Sequence, residues 1–345
     1  MSRKTIYLAF LLIMGCIDPV NFKFKNQVEH LVVEAQFTDQ PGFQYVRLSR
    51  SSPFTYPYNQ YEEYATVFIT STEGEFFPFQ YLSGGNYYPD SSATGTIGHH
   101  YTLHITTAEG KNYESQPVQM NPPVPIDTVY YQYAEVLTVL KGRKDRVLSP
   151  GYYILVNHKD PADHENYYRW SYKLQFEVHT HPENFIDYEC CRFPVRRPKP
   201  CCSHCWVNET DENFAVADDR LTNGQEVVGQ QALFIPYYGY LHFKCKITLY
   251  QHSIPEQEFL FYKNLNIQSQ SNGGIFDPPP SSIKGNLLNI DNPEDPVLGY
   301  FDASGASEIN LTILGVDFPG PIENFIWDDD CRTLDHSTTV PPPGW

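Results

Sequence analysis

The chain has 345 residues and a net charge of −17, and aromatic residues make up 15 % of it, with 26 Tyr and 22 Phe. That length accommodates two cored domains, and the acidity excludes nucleic acid and anionic headgroups as electrostatic partners. Tyr, Phe, Val and Thr interrupted by 21 Gly and 28 Pro favour strands over helices.

In chain order, Arg3 and Lys4 precede an apolar run from Ile6 to Met14 that is too short for a permanent membrane span and fits an export signal. The run ends in Ile13-Met14-Gly15-Cys16, which resembles the bacterial lipobox. Residues 1–16 are therefore expected to be a lipoprotein signal peptide, with Cys16 the lipidated first residue of the mature chain and residues 17–27 a tether. Each buried acyl methylene contributes about 0.8 kcal/mol, so several chains on one cysteine make attachment effectively permanent. The expected location is the outer membrane, on the cell surface rather than facing the periplasm.

From Leu31 the residues alternate: Leu31, Val33, Ala35 and Phe37 point one way, and Val32, Glu34 and Gln36 the other. That period of two marks a strand with one buried face. Similar runs follow at 45–48, 65–71, 76–82, 86–88, 101–107 and 112–118, separated by turn-formers such as Asp39-Gln40-Pro41-Gly42 and Ser83-Gly84-Gly85. Short strands at this spacing predict an immunoglobulin-like β-sandwich over residues 28–120. The insertion 51–63 is too long for a hairpin turn. Its Tyr56, Tyr58 and Tyr61 either form a partner-binding surface or pack back on their own sheet.

Residues 121–126 are proline-rich and form a natural boundary. Beyond it, residues 127–345 carry strand-like runs at 128–139, 151–157, 167–180, 231–236 and 241–251, predicting a larger β-rich α+β domain. Its main helix is expected over 254–271, with Ser253 and Glu256 as a capping box, Pro255 in the first turn and Gly273-Gly274 after the end. The turn holding Phe276 and Asp277 is a second candidate partner-binding surface. The fold class is thus mostly β: a sandwich followed by a β-rich domain with one main helix.

Besides Cys16 the chain has Cys190, Cys191, Cys201, Cys202, Cys205, Cys245 and Cys331. In an exported protein disulfides are the default, and the odd number leaves one thiol over. Residues 190–205 read as a stapled loop. Adjacent cysteines are expected not to bridge each other, leaving bonds across the loop or to Cys245 or Cys331. The alternative is zinc at Cys202-Ser203-His204-Cys205, with His179 and His181 upstream, but the spacing is not that of a zinc finger. His99, His100 and His104, and the acidic groups 291–295 and 328–330, read as turns and surface. No Gly-x-Ser-x-Gly, phosphate loop or His-Glu-x-x-His occurs. No catalytic residue, cofactor or metal is expected.

Several stretches together carry a family resemblance: Cys16-Ile17-Asp18-Pro19, Leu31-Val32-Val33-Glu34-Ala35, Tyr101-Thr102-Leu103-His104-Ile105, Phe276-Asp277-Pro278-Pro279-Pro280 and Val297-Leu298-Gly299-Tyr300-Phe301. Over nearly all of its mature length the chain resembles a lipoprotein family of Bacteroidota, domain of unknown function 4249. The resemblance implies an outer-membrane accessory, SusD-like in position, whose partner is a TonB-dependent receptor with a carboxypeptidase-regulatory-like domain. It implies no catalytic residues. The alternative is a surface lipoprotein that binds or hydrolyses glycans or peptides, with Trp170 or Trp206 stacking on sugar rings.

Overall fold

A computed structural model describes residues 29–52, 60–139, 146–190, 193–210, 215–237, 243–269, 283–319 and 327–345. The chain is mostly β, with one main helix. The expected signal peptide and tether, with Cys16, lie outside the described residues, as do Tyr56, Tyr58, Cys191, Phe276 and Asp277.

The first sandwich is built from β1 (Leu31–Thr38), β2 (Tyr45–Arg50), β3 (Gln60–Tyr61), β4 (Thr66–Ser71), β5 (Phe76–Ser83), β6 (Asn86–Tyr88), β7 (His100–Thr106), β8 (Asn112–Ser115) and β9 (Val118–Gln119). One sheet runs β1–β2–β6 and the other β4–β7–β8. This is the immunoglobulin-like pairing that the sequence pattern predicts. Strand β5 serves both sheets, pairing β4 through Phe76–Phe79 and β6 through Gln80–Ser83. Leu31, Val33, Ala35 and Phe37 all turn into the core, where the Phe37 ring lies 4.9 Å from those of both Phe77 and Tyr101.

The chain continues through β10 (Thr128–Val139), β11 (Arg146–Lys159), β12 (Tyr167–His179), β13 (Ile186–Asp187), β14 (Val195–Arg196), β15 (His204–Thr210), β16 (Val216–Asp218), β17 (Glu226–Pro236), β18 (Lys244–Ile254) and α1 (Glu256–Ser269), then β19 (Leu287–Asn289), β20 (Leu298–Leu314) and β21 (Ser337–Thr338). Sheet β10–β11–β17 packs on sheet β20–β18–β12–β15. Tyr152, Ile154 and Ile235 from one, and Trp170, Phe176, Ile247 and Leu249 from the other, share a second core.

One expectation is corrected by the pairing. Residues 127–345 do not form a self-contained C-terminal unit, because β19 and the first half of β20 return to the first sandwich. Strand β19 pairs β8, and Val32–Thr38 of β1 pair in parallel with Leu298–Ser304 of β20. Leu287, Val297, Phe301 and Ala303 enter the first core. The second half of β20, from Gly305 to Leu314, pairs antiparallel with β18. The proline-rich connection crosses over this changeover point. A side chain at Gly305 would bring its first carbon 2.4 Å from the Asn121 carbonyl oxygen, so only glycine fits.

Helix α1 also differs from expectation. Ser253 belongs to β18, and its Oγ accepts from the Val124 amide rather than capping the helix; the Glu258 and Phe259 amides instead donate to the Pro255 carbonyl. The buried side is Glu258, Phe259 and Phe261. This side covers the junction of the two sandwiches because Arg169 is buried there and needs partners. Its guanidinium donates from Nε to Glu258 Oε1 (3.2 Å) and from Nη2 to Asp302 Oδ2 (2.6 Å) and Gln36 Oε1 (2.9 Å). A chain of hydroxyls and an imidazole continues it. Ser304 Oγ donates to Asp302 (3.0 Å), and His252 lies between Ser304 (3.2 Å) and Ser171 (2.8 Å). Burial, with the Arg169 charge close by, keeps His252 neutral.

One cation faces two buried carboxylates here. Burial, then the Asp302 charge, raises the Glu258 carboxyl well above its ordinary range, against the pull of Arg169. Glu258 Oε2 and Asp302 Oδ1 have no other partner, and a proton held on Glu258 would let the two carboxyl groups share a hydrogen bond. A carboxyl raised by folding contributes stability in full below its unfolded pKa and loses it as pH rises toward the folded value. Urea unfolding of Glu258→Gln, which keeps the shape without titrating, is expected to show a flatter decline from acid to mildly alkaline pH than the parent. Arg169→Met, which leaves Asp302 without its cation, is expected to cost about 3–5 kcal/mol. Parallel pH profiles for parent and Glu258→Gln would show that Glu258 carries no such proton.

Candidate functional site

Three places on the surface merit description: an aromatic edge, a groove between the sandwiches, and a histidine cluster. The edge is formed where β3 and β6 both pair with β2. Tyr61 stands opposite Ser49, on the face of the sheet turned away from the core, and its ring lies over the Ser83-Gly84-Gly85 turn. Gly85 has φ +73°, and any side chain there would meet the Leu48 carbonyl oxygen at 2.2 Å and the Tyr61 ring at 3.1 Å. The Arg47 guanidinium approaches the same ring at 5.9 Å. Tyr61 thus packs back on its sheet and still presents 38 % of its surface; Leu82 at 70 % and Tyr88 at 43 % are exposed on the neighbouring strands β5 and β6. Tyr64, 73 % exposed, packs instead 4.8 Å from Tyr81, whose ring lies against the core. The runs 76–82 and 86–88 are legible as strands in the sequence, but only the pairing of β3 with β2 puts Tyr61 on the outer side of the same sheet.

The groove, about 300 Å³, runs between the first sandwich and the start of α1, lined by Gln116, Gln119, Pro255, Glu256, Asn286 and Tyr300. Among the described residues that line it, Glu256 is the one carboxylate, beside side-chain amides and a phenol. Trp170 and Trp206 are not available for stacking on a sugar. Trp170 lies in the second core with Nε1 donating to Gln251 (3.1 Å), and Trp206 is also buried.

The cysteine expectations are met in part. Cys205 and Cys331, 126 residues apart, form a disulfide inside the second core. Cys201 and Cys202 bridge each other, against the expectation for neighbours; their Cα atoms are only 3.1 Å apart, across a cis peptide bond. Cys245 is not a disulfide partner but a thiol in the apolar interior, where burial raises its pKa far above the ordinary range. Cys190 is exposed at the start of the loop. With Cys202 and Cys205 both oxidised, the zinc arrangement built on those sulfurs does not form.

Two of the histidines weighed with it nevertheless come together. His179 and His204 are register partners on β12 and β15, and both turn Nε2 to the same Glu177 Oε1, each at 2.8 Å. Partial burial opposes charge on Glu177, but hydrogen bonding from His179, the two nearby imidazoles and hydrogen bonding from Trp345 outweigh it and hold the carboxyl below its usual range. His181 turns away to Glu183. His99 and His104 lie on the surface of the first sandwich: His99 pairs with Glu75 (3.0 Å), and His104 stacks on Phe68 and bonds to Thr70. The acidic groups serve as turns. Asn289 Oδ1 accepts from the amides of Asp291 and Asn292, and Asp330 caps the residues after it through the Arg332 amide. Glu177 was the residue that sequence reading missed. Its signal was the Glu-x-His spacing that places both side chains on one strand face.

Compared with known sequences, residues 17–310 match the model of a family described as Domain of unknown function (DUF4249). No curated protein matches the chain.

The disulfide geometry sets one further expectation. A crosslink closing a loop of this length restricts the unfolded chain strongly, whereas one between neighbours closes no loop. Replacing Cys205 and Cys331 together by Ala is expected to cost about 2–4 kcal/mol in urea unfolding. A matching change at Cys201 and Cys202 is expected to cost much less, and equal losses would refute the loop-entropy account.

Proposed function

The chain belongs to the DUF4249 family, and from that premise we propose that it is a lipid-anchored outer-membrane accessory protein, held by an acylated Cys16. In this reading it binds a TonB-dependent receptor-type barrel and assists uptake or assembly at the cell envelope, without catalysing a reaction. The observation that carries the reading is the aromatic edge of the first sandwich. Tyr61, Leu82 and Tyr88 are all exposed along the outer side of its strands, and the sequence just before Tyr61 contains Tyr56 and Tyr58. Clustered aromatic side chains lose little conformational freedom on binding and bury large areas, which makes them anchors in protein interfaces.

The tether supports the same reading. Cys16 precedes Leu31 by 15 residues, so a lipid on Cys16 keeps β1 within about 50 Å of the bilayer at full extension. A tether of that length allows the aromatic edge to reach a barrel in the same membrane. The acidic surface makes direct adhesion to anionic headgroups unfavourable, leaving the lipid as the attachment.

The test is affinity purification of the full-length protein from detergent-solubilised outer membrane, with co-purifying barrels identified by mass spectrometry. The parent is expected to bring down a TonB-dependent receptor. The triple variant Tyr61→Ser, Leu82→Ser, Tyr88→Ser is expected to lose it while keeping its melting temperature. Recovery of the parent alone, or a mature chain that takes up no palmitate analogue, would remove the basis of this reading. Retention of a glycan or peptide without any barrel would favour the surface-binding alternative.

A further inference from the structure

Among the described residues, three clusters bring metal-ligating atoms within reach of one another: Glu177 with His179 and His204, Cys201 with Cys202 and Asp330, and Glu73 with Glu75 and His99. The second is disqualified by its chemistry, since both sulfurs are joined in a disulfide. The third offers a single imidazole, and its Glu75 oxygen already accepts from both His99 and the Tyr101 hydroxyl, each at 3.0 Å. The first is different in kind. Two imidazole nitrogens and one carboxylate oxygen converge on a point, and their donor atoms all lie within 4.8 Å of each other.

The convergence follows from strand geometry. Residues two apart share a face, so Glu177 and His179 stand side by side on β12. Antiparallel register then places His204 across from His179 and Trp206 across from Glu177. The ligands are held from several sides. Phe243 packs on the His179 ring at 4.0 Å, and Trp206 lies 4.4 Å from the His204 ring. Cys205, between those two β15 residues, is tied to Cys331. Both imidazoles remain 45 % exposed, so the face opposite the sheet is open to an incoming ion.

We propose that Glu177, His179 and His204 bind a divalent transition-metal ion, with Zn²⁺ the ion whose preferences the donor set matches. Zinc takes imidazole nitrogen and carboxylate oxygen at about 2.0–2.2 Å in a tetrahedron, and two histidines with one glutamate supply three of its corners. The fourth faces solvent. Without metal, each imidazole donates its Nε2 hydrogen to Glu177. An ion bound there would take the place of those hydrogen bonds, with each Nε2 lone pair and the Glu177 carboxylate as its ligands. The site lies apart from the aromatic edge and does not depend on the function proposed for it.

The experiment is calorimetric titration of the untagged, full-length, metal-stripped protein in detergent with ZnCl₂. One ion per chain is expected, with a Kd of about 1 μM or tighter. Loss of an outer-shell partner alone weakens metal sites by about 10–100-fold, so His179→Gln, His204→Gln and Glu177→Gln are each expected to weaken binding at least about tenfold, while His99→Gln leaves it unchanged. Diethylpyrocarbonate footprinting of the parent gives a reading that needs no variant: zinc is expected to protect His179 and His204 and not His99. No stoichiometric binding, unchanged affinity in the three variants, or protection of other histidines would each overturn the proposal.

Discussion

A guanidinium removed from water is tolerable only where carboxylates and amides surround it, and Arg169 on β12 meets that condition with groups from three other elements: Gln36 on β1, Glu258 on α1 and Asp302 on β20. None of these elements can move independently without leaving a buried charge unmatched. Strand β20 makes the constraint architectural. Its first half completes the first sandwich and its second half the second, so the two cores are joined by one continuous backbone and by the charge network beside it. Helix α1 is placed by the same network, because the side that carries Glu258 is the side that must face Arg169.

The shared strand also sets the distance between the two surfaces of interest. The ladder runs β6–β2–β1–β20–β18–β12–β15, so four strands stand between the aromatic edge at β6 and the strand bearing Glu177 and His179. A partner gripping the edge therefore need not cover the histidine cluster. The cluster's own support is local: register across β12 and β15, the aromatic rings of Phe243 and Trp206, and the Cys205–Cys331 crosslink to the segment that follows β20.

Much of the first sandwich could be read from the sequence because its physics is local. Alternation in Leu31–Phe37 fixes which face is buried, and Gly-rich turns such as Ser83-Gly84-Gly85 fix where a strand reverses. The helix was legible as an element but not in its details. Ser253 has the residue type of a cap, yet the pairing of β18 with β20 continues through it and carries it into the strand. The cysteines were legible as a disulfide framework while their pairing was not, since bridging depends on Cα separation, and Cys331 lies far along the chain from Cys205.

What the sequence determined by itself was therefore the composition-driven β class, the inward and outward faces of individual strands, and the residue types at hand for anchoring and binding. The tertiary structure decided which distant segments became neighbours. The parallel pairing of β1 with β20, the four-element cluster around Arg169 and the meeting of His204 with Glu177 and His179 all join residues well separated in the chain. A periodicity of two or 3.6 reports only which way a side chain points. It holds no information about which strand will come to lie alongside, because that is settled by the burial and charge matching of the whole core.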